Sequence, residues 1–150
     1  MRYIILLAII LIAAYMIIPN IKYIQLHQEE LVMVENLRDF NDANSAFRKA
    51  QGKGAFADSI ETLIAPPTGP KYLDETWRKS QRHHFRLIYS GGGTLSPNTY
   101  SLLALPEFKR RISISSFCID QKGIVFKTDK DELTLEAGTD GCRGGIPVAG

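Results

Sequence analysis

The chain opens with an uninterrupted apolar run, Tyr3 to Ile18, and then sets Pro19 and Asn20 where most helices would be ending. The residues beyond Asn20 do not read as a turn. From Tyr23 to about Ala50 there is no glycine or proline, and helix formers such as Gln25, Leu26, Gln28, Glu29, Glu30, Leu31, Met33 and Glu35 dominate. Leu31, Val34, Leu37, Phe40, Ala43, Phe47 and Ala50 recur at steps of three or four. Glu30, Arg38, Asp39, Asp42 and Lys49 fall largely off that face. One helix is therefore predicted through the proline, about 45 residues and roughly 65–70 Å long. Gln51-Gly52-Lys53-Gly54 ends it with C-cap glycines.

A segment apolar on every face calls for an apolar surrounding. Tyr3–Ile18 rises about 24 Å, and continuation through Ile21 and Ile24 extends it toward the roughly 30 Å of a hydrocarbon core. A cleaved secretory signal would carry a basic flank, a shorter apolar core and a small-x-small cleavage site. Here only Arg2 precedes the run, and Pro19-Asn20-Ile21-Lys22 comes after it. The expectation is a transmembrane half-helix over residues 1–22, carrying Tyr3, Ile4, Leu7, Ile10, Ala14 and Ile18, with an amphipathic stalk over 23–50. Arg2 and the α-amine favour a cytoplasmic N-terminus, against Lys22 just beyond the other end.

Residues 51–150 hold one small α+β domain. Asp58 and Glu61 have capping-box spacing ahead of a short helix, and Pro66, Pro67, Gly69 and Pro70 mark a loop. Phe85–Tyr89 has the composition of a strand, broken at Gly91-Gly92-Gly93. Thr99–Leu105 is a second strand, ended by Pro106. Ile112–Ser115 alternates with period two and continues toward Ile119. Asp120-Gln121-Lys122-Gly123 turns the chain into a return strand over Ile124–Lys127. The predicted fold is a long N-terminal helix, membrane-spanning in its first half and packed by its second half on an antiparallel sheet of about four strands.

A formal charge of +2 over 150 residues points to no nucleic-acid or acidic-lipid partner. The densest basic cluster, Lys109-Arg110-Arg111, reads as a solvated turn. Cys118 and Cys142 lack the paired spacing of a zinc site; in an exported domain an even pair predicts one disulfide. His83 and His84 are adjacent, so on a strand they would point to opposite faces and could not share a ligand. Asp129-Lys130-Asp131-Glu132 resembles a fragment of a calcium loop but has no glycine at the sixth position. No serine sits in a nucleophile-elbow context, and Gly91-Gly92-Gly93 has no Lys-Ser/Thr behind it. Neither an enzymatic activity nor a cofactor is expected.

Ala8–Asn20, "AIILIAAYMIIPN", aligns without gaps to the text "AIIGILAAIAIPN" typical of type IV pilins and type II secretion pseudopilins. The long helix matches in character. "AFADSIETLIAP" resembles the segment after the helix in many pilin-like proteins, and Phe117–Phe126, "FCIDQKGIVF", resembles a hairpin of one subgroup. The cysteine pair resembles the disulfide-bounded C-terminal region of many pilins. By that alignment the family's glutamate position falls on Arg2, and the family's cleavage motif is not matched. The chain is therefore expected to start downstream of the natural start or to be an atypical, unprocessed member.

The resemblance implies a structural subunit of a type IV pilus-like filament or a type II secretion pseudopilus, with 51–150 as its globular head. Its partners would be other pilin-like subunits, the inner-membrane assembly machinery and the lipid bilayer, with no direct nucleic-acid contact. Its location would be the inner membrane, single-pass, with a periplasmic C-terminal domain. Pro19 removes one backbone donor and weakens the bond to the carbonyl of Tyr15. By resemblance, Pro19 and Asn20 form a junction where the helix extends or bends during assembly. The competing expectation is a single-pass anchored envelope protein whose exported domain binds a partner without polymerising.

Overall fold

The computed structural model describes residues 2–107, 115–128 and 135–148; before residue 27 the side chains described are those of Leu7, Ile12, Tyr15, Ile24 and Gln25. The backbone is helical from Arg2 to Ala50 (α1). The end of α1 is capped where the glycines begin: Gln51 and Gly52 both donate their backbone N–H to the carbonyl of Phe47, at 2.8 Å.

Two expectations for this helix are corrected. Among the described residues no helix is long and apolar enough to cross a membrane, so a transmembrane half over 1–22 and a single-pass inner-membrane location do not hold. The uninterrupted run Tyr3–Ile18 rises only about 24 Å against roughly 30 Å of hydrocarbon. The continuation that was to complete the span brings Asn20, Lys22 and Gln25 with it. The buried stripe also differs from the predicted one. Leu31 is 57% exposed, whereas Met33, Val34, Leu37, Phe40, Asn44 and Phe47 are buried. Among the described residues the helix meets the domain from Glu29 and Glu30 onward, and its buried side chains begin at Met33.

The sheet corrects the expected four strands to six. Strands β1 (Gln81–Arg82), β2 (Phe85–Gly92), β3 (Ser96–Pro106), β4 (Phe117–Asp120) and β5 (Val125–Lys127) come in order. A separate ribbon pairs β6 (Glu136–Gly138) with β7 (Gly141–Arg143), and β8 (Ile146–Pro147) returns to the sheet. Neighbours in the sheet run β1-β2-β3-β4-β5-β8, all antiparallel. The two-residue strands β1 and β8 are too short to carry a period, which is why they left no trace in the sequence, whereas the predicted return strand Ile124–Lys127 is found as β5.

Alternation in the long strands sets up three layers. Phe85, Leu87, Tyr100, Leu102, Ala104, Phe117, Ile119 and Val125 share one core with α1. Leu103 and Cys118 belong to a second cluster with Leu135, Leu105, Phe126, Ala137 and Cys142. Ser101 donates to the carbonyl of Gly138 at 2.8 Å, so β6–β7 lies over the face of β3 away from the helix. The run Leu102–Leu105 is continuously apolar because both its faces are covered.

The link between α1 and the sheet is short and well tied. α2 (Ile60–Ile64) is capped by Ser59, not Asp58, with the Ser59 hydroxyl accepting from the N–H of Thr62 at 3.2 Å. Glu61 turns instead to Arg78, at 2.7 Å. A 3₁₀ turn, Glu75–Arg78, buries Trp77. Strand β2 runs into the glycines expected to break it and shifts register between Gly91 and Gly92. Gly92 has φ +73°, and a Cβ there would lie 1.8 Å from the carbonyl oxygen of Ala57, so no other residue fits. His83 and His84, at φ 48° and 63°, form the two-residue loop joining β1 to β2 and are not strand residues. Such a turn usually takes Asn-Gly, so the hairpin was hard to see in "RHHF".

Candidate functional site

The structure organises its chemistry around α1: a seat on the domain, a neck where the helix leaves it, and an exposed apolar stretch beyond. The seat is locked by one polar trio inside an aromatic core. Asn44, fully buried, accepts from the N–H of Ala57 at 2.9 Å and donates to the Tyr89 hydroxyl at 3.3 Å. Tyr89 in turn donates to the carbonyl of Ala57 at 2.5 Å. Tyr100 donates to the Asn41 side-chain oxygen at 2.7 Å. Phe40 sits among Trp77, Tyr89 and Tyr100, with ring centroids at 5.5, 5.7 and 6.0 Å. Helix register on the sheet is thus fixed by directional bonds as well as by apolar area, since an unpaired buried Asn44 would cost about 1–3 kcal/mol.

These phenols make the seat sensitive to alkali. Burial pushes Tyr89 up to about 12, against the Asn44 amide that favours its ionised form. Burial also pushes Tyr100 up, with Tyr89 beside it acting in the same direction. The fold therefore prefers both hydroxyls neutral. Their contribution to stability is complete below pH 10, the ordinary phenol value, and is lost as pH rises toward about 12. Thermal unfolding across that window should show a falling midpoint, and Tyr89→Phe should shrink the fall. A midpoint that is level up to pH 12 would contradict the burial argument.

At the neck, Arg82 holds Asn36 of α1 with two bonds, 3.2 and 3.0 Å, and bonds the Thr76 hydroxyl at 2.7 Å while its guanidinium lies 4.4 Å from the Trp77 ring centroid. Glu30 accepts from the N–H of Ser115 at 2.8 Å and lies 3.8 Å from His27. Glu29 lies 3.7 Å from His84. Beyond this point Leu7, Ile12, Tyr15 and Ile24 are 63, 60, 84 and 55% exposed.

Cys118 and Cys142 form a disulfide, with Cα atoms 6.0 Å apart. It joins β4 to β7 and so staples the ribbon to the outer face of the sheet. Asp120, almost fully buried, reinforces the same joint: its carboxylate accepts from the N–H of Lys122 at 3.0 Å and of Cys142 at 3.4 Å. Gly123, at φ +73°, completes that turn by donating to the Asp120 carbonyl at 2.9 Å.

The other residues singled out in the sequence are spread along the chain. Tyr3, Ile4, Ile10, Ala14, Ile18, Pro19 and Asn20 all lie within the helical backbone of α1, with side chains outside the described set. Leu7 is exposed. Lys109-Arg110-Arg111, Ile112–Ile114 and the calcium-like fragment Asp129–Glu132 lie outside the described residues. Among the described residues no group of three or more His, Cys, Asp or Glu side chains could hold a metal ion. Asn36, Asn44 and Arg82 were not anticipated. Asn44 could have been noticed, because it falls between Phe40 and Phe47 on a stripe that otherwise demands apolar residues.

No family model, curated protein or solved structure matches the chain.

Proposed function

We propose that this chain is a structural, non-catalytic subunit of a filament of the type IV pilus or type II secretion pseudopilus kind, assembling through α1 with other pilin-like subunits. The division of α1 carries this reading. Its second half is seated on the sheet through Met33, Leu37, Phe40 and Phe47, whereas Leu7, Ile12, Tyr15 and Ile24 stand exposed ahead of it. Full burial of one such side chain stabilises an assembly by about 1.5–3 kcal/mol, and helices of further subunits supply an apolar surface of matching length. The text of Ala8–Asn20 supports the same reading by resemblance.

Sedimentation velocity and electron microscopy of the full chain test it. The intact protein should form large, helix-rich assemblies that grow with concentration. Ile12→Asp should abolish them while leaving the melting temperature of the domain unchanged. A chain that stays monomeric at every concentration, or an Ile12→Asp variant that assembles as well as the parent, overturns the proposal.

A further inference from the structure

A cleft of about 470 Å³ opens at the C-terminal end of α1, lined by Ser45, Arg48, Lys49, Gly54, Phe56 and Gln121. Its polar lining is unusually one-sided. The Gly54 carbonyl is already taken, accepting from Arg48 Nε at 2.6 Å. The Gln121 side-chain oxygen is taken as well, accepting from the N–H of Tyr100 at 3.4 Å, which leaves the Gln121 amide as a donor. Arg48 is held in place by neutral groups: Gly54, the Asn98 side-chain oxygen at 2.8 Å, and the Phe56 ring 4.6 Å beneath its guanidinium. Among the described residues neither Arg48 nor the exposed Lys49 has an ion pair. Two cations, an amide donor and a hydroxyl thus surround the space, and among the described residues no Asp or Glu lines it.

We propose that this cleft binds a small carboxylate monoanion, its oxygens taken by Arg48, Lys49 and the Gln121 amide. A planar guanidinium fixed by packing is preorganised for a carboxylate edge. The α1 C-terminus places its partial negative charge on the same side, which penalises a phosphate dianion more than a monoanion.

Saturation-transfer NMR on propionate, with the full chain, reads binding whether the protein is monomeric or assembled. Saturation should pass to the propionate methyl group with a hyperbolic concentration dependence at constant ionic strength. Lys49→Gln should weaken binding about tenfold, as loss of one charge-assisted hydrogen bond predicts, and Lys53→Gln, outside the lining, should leave it unchanged. Absence of transfer, equal affinity in Lys49→Gln, or displacement of propionate by inorganic phosphate at lower concentration overturns the proposal.

Discussion

Phe40→Ala is expected to destabilise the domain by about 3–5 kcal/mol, the range for deleting a buried aromatic side chain. Phe40 is completely buried and touches three other rings, from the 3₁₀ turn, β2 and β3. It therefore lies where the helix, the sheet and the connecting segment meet, and none of the three can close the cavity without giving up contacts to the other two. Urea unfolding should show a lower midpoint with an unchanged slope, which marks lost stability and not a changed unfolded state. Leu31→Ala, on the same helix but exposed, should stay within about 0.5 kcal/mol of the parent. A Phe40→Ala loss below about 1 kcal/mol would show that α1 is not integral to the domain's core.

The second large effect is expected from the disulfide. Cys118 and Cys142 are separated by 24 positions, and a cross-link closing a loop of that size stabilises by about 3.5 kcal/mol through the unfolded chain. Replacing both cysteines with alanine should remove most of that amount. The β6–β7 ribbon should be affected first, because among the described residues its remaining hydrogen bonds to the sheet are the Ser101 and Thr99 hydroxyls on the carbonyls of Gly138 and Thr139 and the Asp120 carboxylate on Cys142, beside the small apolar cluster at Ala137. Amide exchange at Glu136–Arg143 should accelerate more than exchange in β2 and β3. Intact-mass measurement after alkylation without reductant should find neither cysteine modified; two modified cysteines would overturn the bond.

How much of this was legible can be argued residue by residue. The cysteine pair was readable because the chain offers no other partner for either one. The end of α1 was readable because glycines remove helix propensity abruptly. The seat was only half readable. A binary apolar pattern assigns Leu31 to the core and Asn44 to solvent, yet burial depends on where the domain begins, and a buried Asn depends on Ala57 and Tyr89 being there to satisfy it. The sheet was undercounted because β1 and β8 have two residues each and are defined by partners, not by composition. The cleft was invisible for a related reason: Gln121 comes to Arg48 and Phe56 only through the pairing of β3 with β4. The membrane expectation failed on length, the one quantity the apolar run could not extend without recruiting polar residues.

The two ends of the sheet bear on how copies of this protein can meet. A strand edge with free N–H and C=O groups is a template for another strand. Here the outermost strands are stubs of two residues each, and β1 pairs with only Phe85 and Arg86 of β2. One carries Arg82, whose side chain is committed inward to Asn36 and Thr76. The other carries Pro147, which has no N–H to donate. At these two stubs edge-to-edge pairing between copies is thereby discouraged, as it is in natural proteins that guard against sheet-mediated aggregation.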